Sequence, residues 1–284
     1  MKIFTHVSVD LDAAGSVWAA RKFIPGAEKA EVVFVSANWD GAEMQKGDYA
    51  VDVYAGGKGI KGTKEASGKT HSCFHLILER YALREDQLAL RNLTAFIDAG
   101  DSTGNAIKAL IPNTTAAEQK LLYSVSLGAV FSAVRQISPG NDAVAVEWLS
   151  RIFDHFLQAG LNQPISLEEA QCIPMRNAVA VAYNKRGAVQ NALFEEHGAR
   201  AIVYVDGNNL GILRHHDETI RMDHSAIRAV VEAAGETAEW FAHPAGFLFC
   251  RGARKAPAKT PSKVKPEDLA EAVRKALAEE DAKR

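Results

Sequence analysis

The first sixty residues alternate between apolar, β-branched runs and a helical stretch, and this alternation limits the fold more than any other feature. MKIFTHVSV (residues 1–9) reads as a buried strand and AAGSVWAARKF (13–23) as a helix closed by Pro25-Gly26. EVVFVSA (31–37) and DYAVDVYA (48–55) read as two more strands. Strands joined through helices predict a parallel α/β sheet. After the glycine-rich GGKGIKG, helices are expected from about 71 to 81 and over 88–101. SLGAVFSAVRQI and AVAVEWLSRIFDHFLQAG carry apolar residues at three- and four-residue spacing, which predicts a helical bridge. GLNQP (160–164) reads as a boundary, with a long helix following to about residue 196. ARAIVYVDG, LGILRHH, EWFAH and GFLFCRG then read as strands, with helices over 225–234 and through EDLAEAVRKALAEE. The expected fold is α/β: a parallel-sheet N-terminal domain with its helical bridge (1–160) and a smaller mixed α/β C-terminal domain (165–284).

Composition narrows the function classes. A formal charge of −2 over 284 residues gives no global basic field for coating nucleic acid. Cys73, Cys172 and Cys250 are far apart and form no C-x-x-C pair, so neither a zinc knuckle nor a disulfide framework is indicated. No stretch has the length of a membrane span and MKIFTHVSVD has no basic leader, so a cytoplasmic chain is expected.

The candidate site lies where the first strand ends. Open parallel sheets collect ligands beyond the carboxyl ends of their strands. His6, Asp10 and Asp12 crowd that point, Asp52 sits in the third expected strand, and Asp98 and Asp101 end another element. One histidine with several carboxylates is a hard-metal set, suited to Mn²⁺ or Mg²⁺. Such a centre activates water and clamps phosphate oxygens. Structural roles compete with this reading: Asp12 fits a helix N-cap, Asp10 a turn, and Asp52 an edge strand.

THVSVDLDAAGS resembles the first motif of the DHH phosphoesterase superfamily, roughly [TS]-H-x-x-x-D-x-D-x-x-G-S, with His6, Asp10, Asp12, Gly15 and Ser16 on its signature positions. The resemblance implies that His6 and Asp10 bind one Mn²⁺ (or Mg²⁺), that Asp12 binds a second, and that Asp52 in YAVDVYAGG bridges both. DAGDSTG resembles the fourth motif, with Asp101 completing the second metal site and Asp98 as the alternate. Asp52 and Asp12 are then the catalytic acids. EWFAHPAGF, with His243 and Gly246, resembles the DHH-associated substrate domain, in the version of the RNA-exonuclease branch related to the melanocyte-proliferating-gene protein. Arg251, Arg254 and Lys255 add expected phosphate contacts. The implied function is metal-dependent hydrolysis of a phosphate ester in a small nucleotide or short oligonucleotide. A homodimer is a further expectation.

The name-giving Asp-His-His is absent. Its place is taken by GGKGIKGTKEASGKTHSCFHLILERY, whose histidines are His71 and His75. HSCFHLIL resembles the serine-led helix that follows the missing motif, and His71 substitutes for the lost ligand if the loop folds back. HHD at 215–217 has the reverse order and reads as coincidence. SGKT (67–70) fails as a P-loop, because position 63 is threonine where G-x-x-x-x-G-K-[ST] needs glycine. Lys58, Lys61, Lys64 and Lys69 remain phosphate-binding candidates, with Lys69 and His71 assigned to substrate. The alternative is a divergent protein that binds a nucleotide or phosphate without cleaving it.

Overall fold

The computed structural model describes residues 1–64, 70–185, 187–253 and 255–283. Lys69, most of the SGKT stretch and Arg254 lie outside the described residues. The chain is mixed α/β and divides into two compact units, Met1–Asn162 and Gln163–Arg284.

In the first unit, strand β1 (Lys2–His6) leads into helix α1 (Leu11–Phe23), followed by β2 (Glu31–Val35) and β3 (Tyr49–Ala50). The three strands form a parallel sheet in the order β2-β1-β3, with His6 opposite Val35 at its carboxyl edge. A short antiparallel pair, β4 (Thr63–Lys64) and β5 (Thr70–His71), precedes α2 (Cys73–Tyr81). Helices α3 (Arg84–Ala89), α4 (Arg91–Thr103), α5 (Ala106–Leu110), α6 (Ala116–Ser124) and α7 (Leu127–Ile137) come next. Helix α8 (Asp142–Gln171) then runs past the boundary between the units. α1 is buried over most of its surface, as its nearly unbroken apolar sequence requires. Trp18 packs against Phe74 and Phe153, and a Cβ on Gly15 would stand 3.1 Å from the Phe74 ring, so a larger residue there would require that ring to give by a few tenths of an ångström.

The second unit continues with β6 (Met175–Arg176), β7 (Val179–Tyr183), α9 (Gly187–Glu195), β8 (Ala201–Asp206), β9 (Asn209–Arg214), α10 (Ser225–Ala233), β10 (Phe241–Ala242), β11 (Leu248–Arg251) and α11 (Pro266–Asp281). The strands form one mixed sheet in the order β10-β11-β9-β8-β7-β6, with β7 and β8 parallel. Side chains alternate across it. Val179, Ala201 and Val203 face the core that includes α10 and α11, whereas Ala180, Ala182 and Ile202 pack with Val189 and Leu193 of α9. Pro266 and the acids Glu267 and Asp268 start α11, where a missing N–H and negative charge are both favourable.

α8 runs unbroken through GLNQP, and the division between the two units falls inside that stretch. Three sequence expectations change. The helix expected to reach about residue 196 ends at Gln171, and β6 and β7 occupy its middle. Asp52 is not in a strand, since β3 stops at Ala50. His71 lies in β5, ahead of the helix it was expected to begin. Among the described residues, no helix is long and apolar enough to cross a membrane.

Candidate metal centre

The centre begins in the loop between β1 and α1. The side chain of Asp10 caps α1 by accepting from the Ala13 amide at 2.9 Å, the role considered for Asp12. Asp12 lies instead in the first turn of α1, where its carboxyl is buried. One of its oxygens accepts from the Phe74 amide (2.8 Å) and from Ser16 Oγ (3.2 Å), and the other from the Cys73 amide (2.9 Å). Asp12 therefore caps the N-terminus of α2, a different helix from its own.

Asp52 arrives from the turn after β3 with a left-handed φ of 54°, a conformation uncommon outside glycine and concentrated at functional sites. Its amide donates to the Ile60 carbonyl (2.8 Å) and approaches Cys73 Sγ (3.1 Å), while the thiol donates to that same carbonyl (3.0 Å). Burial, with Asp12 adding, pushes the Cys73 thiol up, so it stays protonated and available as this donor. The backbone strain at Asp52 puts its carboxylate 3.1 Å from His6 Nε2, and Asp10 stands 3.9 Å from the same nitrogen. His6, Asp10 and Asp52 thus offer three ligand atoms within 4.8 Å of one another.

Asp12 and Asp101 are not part of that tight triad, but they feel its charge. Burial pushes Asp12 up to about 8, with repulsion from Asp52 and Asp101 adding and the α2 amides opposing. Lost hydration raises Asp10 and Asp101 as well, and Asp52 raises each further. The hydrogen bond to Asp52 raises His6 to about 9. Carboxyls held above their ordinary range by burial and by one another form a cluster that a bound cation would relieve. Oxygen donors with one imidazole fit Mn²⁺ or Mg²⁺.

These shifts set the pH response. Between the unfolded and folded pKa values, Asp12 and His6 both hold protons in the folded chain that the unfolded chain has released. Metal-free protein is therefore expected to lose stability as pH rises from about 6 to 9, in thermal unfolding with chelator present. A saturating divalent ion displaces those protons, so its stabilising increment is expected to grow from pH 6 to pH 8. An increment that shrinks over that range would contradict the assignment.

Asp98 is placed differently from Asp101. Its Oδ1 accepts from Ser72 N (2.9 Å) and Ser72 Oγ (2.6 Å), and its Oδ2 lies 2.6 Å from His75 Nδ1. Burial alone would raise it, but these hydrogen bonds hold it below the usual carboxylate range. His75 Nδ1 is in turn 3.1 Å from His71 Nδ1, so His71, His75 and Asp98 form a second three-ligand group in this unit. A cavity of about 690 Å³ has Asp10, Asp12 and Asp101 on its wall, together with Phe96, Tyr123 and Phe131.

Two residues that sequence reasoning missed hold the loop in place. Asp142, at the start of α8, accepts from the amides of Ser8 (2.8 Å) and Val9 (3.1 Å). Arg135 of α7 pairs with Asp142 at 2.6 Å and donates to the Val9 carbonyl. The helical bridge thereby clamps the loop that carries Asp10.

The second unit holds the remaining candidates. His243, Pro244, Ala245 and Gly246 form a turn closed by the Gly246 amide donating to the His243 carbonyl (2.8 Å). Gly246 has φ +73°, and a Cβ there would stand 2.9 Å from Arg221 Cγ. The His243 ring packs on Phe247. Arg251 is buried, ion-paired with Glu239 and bonded to Thr260, so its donors are used within this unit.

No protein-family model and no curated protein matches this chain. Among solved structures, it aligns over 98% of its length with 99% of an uncharacterized protein from Helicobacter pylori, at 10% identity and a TM-score of 0.24. It also aligns over 98% of its length with 50% of RecJ from Thermus thermophilus, solved in complex with Mg²⁺, at 12% identity and a TM-score of 0.31. Both are weak structural neighbours, and the functional reading stands on the chain's own residues.

Proposed function

We propose that this chain is a Mn²⁺- or Mg²⁺-dependent phosphoesterase of the DHH type, hydrolysing a phosphate ester of a small nucleotide or short oligonucleotide. The observation that carries the reading is the convergence of Asp52 on His6 and Asp10 from a distant stretch of chain, beside two further acids, Asp12 and Asp101, that burial and the charge of Asp52 push up. His6, Asp10 and Asp52 hold the first metal; Asp12 and Asp101 are the ligands for a second, with Asp52 shared between them. A divalent cation there activates water and clamps phosphate oxygens. Asp142 and Arg135 position the loop, and the cavity beside Asp10 and Asp101 receives the substrate. In the second unit, taken as the DHH-associated domain, His243 and Gly246 supply the substrate turn. Lys69 and His71 are assigned to substrate as well.

One observation favours a second reading, a nucleotide-binding protein without hydrolysis. Both oxygens of Asp12 are engaged by α2, which leaves the second metal locus poorer in free donors while Asp-His-His is also missing. Incubation with a mononucleotide and a short oligonucleotide separates the two. The proposal expects Mn²⁺-dependent product release that stops on chelation. Thermal stabilisation by nucleotide with no product would support the non-catalytic reading instead.

A further inference from the structure

We infer that Glu195, His215 and His216 form a binding site for a zinc-class divalent cation in the second unit. The site sits on a turn that leaves β9 and is tied down before any ion arrives. The His215 amide donates to the Arg200 carbonyl (2.9 Å), and the Glu218 amide donates back to the His215 carbonyl (3.2 Å). The Arg214 guanidinium donates to the carbonyls of His215 and Glu218, and Arg200 pairs with the Glu218 carboxylate at 2.6 Å. A backbone held at this many points fixes where its two imidazoles start.

The third ligand comes from α9. Phe194 packs against the His215 ring with centroids 5.7 Å apart, which brings its neighbour Glu195 to the same place. Glu195 Oε1 lies 3.6 Å from His215 Nε2 and 3.9 Å from His216 Nδ1. The three ligand atoms lie within 4.8 Å of one another, and donors about 2.0–2.1 Å from a tetrahedral ion stand roughly 3.4 Å apart, so an ion needs Glu195 to close on each nitrogen by a few tenths of an ångström and the imidazoles to turn toward it. Glu195 and His216 have that freedom, being 58% and 70% exposed.

Asp217 supplies an outer partner. Its carboxylate lies 3.6 Å from His215 Nδ1 and 3.3 Å from His216 Nε2, the nitrogens that an ion bound as above leaves free. Metal-bound histidines ordinarily give that second N–H to a carboxylate, which fixes the ring and its tautomer. In the free protein the Asp217 amide donates to His215 Nδ1 (3.3 Å), so an ion at Nε2 requires that contact to give way before a protonated Nδ1 can donate to the Asp217 carboxylate. Two imidazoles and one carboxylate suit Zn²⁺, Co²⁺ or Ni²⁺ better than the hard ions expected at the acid cluster. Three protein donors leave a coordination position open to water or an anion.

The test uses untagged, chelator-stripped, full-length protein titrated with Co²⁺, read by its visible absorption and by calorimetry. Wild-type protein is expected to bind Co²⁺ with the visible bands of low-coordinate N/O ligation. Glu195→Gln and His216→Ala should each lose that signal, and Asp217→Asn should weaken binding at least about tenfold. Asp52→Asn should leave the signal unchanged, which separates this site from the acid cluster. Circular dichroism is expected to stay at wild-type values, because the altered side chains are exposed. Equal Co²⁺ signal and affinity in wild type, Glu195→Gln and His216→Ala would overturn the site, as would a wild-type signal that disappears in Asp52→Asn.

Discussion

Asp12→Ala is expected to destabilise chelator-stripped protein by roughly 2–4 kcal/mol in urea unfolding at about pH 4, because the carboxyl accepts from two amides at the buried start of α2. Its removal strands the Cys73 and Phe74 amides at the start of α2, and a buried donor without a partner costs about 1–3 kcal/mol. Two effects oppose the loss: relief of repulsion from Asp52 and Asp101, and the end of a desolvation penalty. Both fade near pH 4, where the folded and unfolded chains alike hold the Asp12 proton, and both grow toward neutral pH, so the loss in Asp12→Ala is expected to shrink as pH rises. Asp12→Asn keeps one acceptor oxygen and should cost less than Asp12→Ala. A change below about 0.5 kcal/mol in Asp12→Ala would show that α2 is held by other means.

Asp52→Asn is expected to lower Mn²⁺-dependent hydrolysis roughly a thousandfold while leaving the fold intact. The charge stabilisation that a metal centre provides is several kcal/mol, and each 1.36 kcal/mol is a factor of ten in rate. Asparagine keeps the volume of the side chain and tolerates the left-handed backbone at this position, so the change falls on charge alone. A second readout is independent of activity. His6 stands at about 9 chiefly because of its hydrogen bond to Asp52, and in Asp52→Asn its imidazole should titrate back toward 6.5 in NMR. Unchanged turnover together with an unchanged His6 titration would remove Asp52 from the site.

Much of the candidate site was legible because its residues are close in sequence or follow strand ends. His6 closes β1 and Asp10 follows within one loop, so any strand-turn-helix reading places them together. Asp52 is read from the sequence as part of the third strand, whereas it follows β3 in a turn; its left-handed backbone, which turns it toward His6, is held by Ile60 and Cys73. The Asp142–Arg135 clamp joins groups more than a hundred residues apart, and neither residue type announces a long-range partner. Asp12 was read as a cap for its own helix, whereas it caps α2, because the carboxyl of a first-turn residue reaches whichever amides pack against it.

The fold was legible where periodicity is clean. β7 was missed because helices cover both faces of its sheet: Val179 and Val181 on one side and Ala180 and Ala182 on the other are all apolar, which erases the alternation that marks a strand. GLNQP holds the division between the two units without breaking a helix. Pro164 sits inside α8, where surrounding structure overrides the breaker signal of its local sequence.

The account depends on a cation answering the charge gathered around Asp52, and calorimetric titration of Mn²⁺ into chelator-stripped protein tests this most directly. Wild-type protein is predicted to bind Mn²⁺ with proton release, and Asp52→Asn to bind it far more weakly. Wild-type protein that takes up no Mn²⁺, or Asp52→Asn that binds it equally well, would contradict the metal centre.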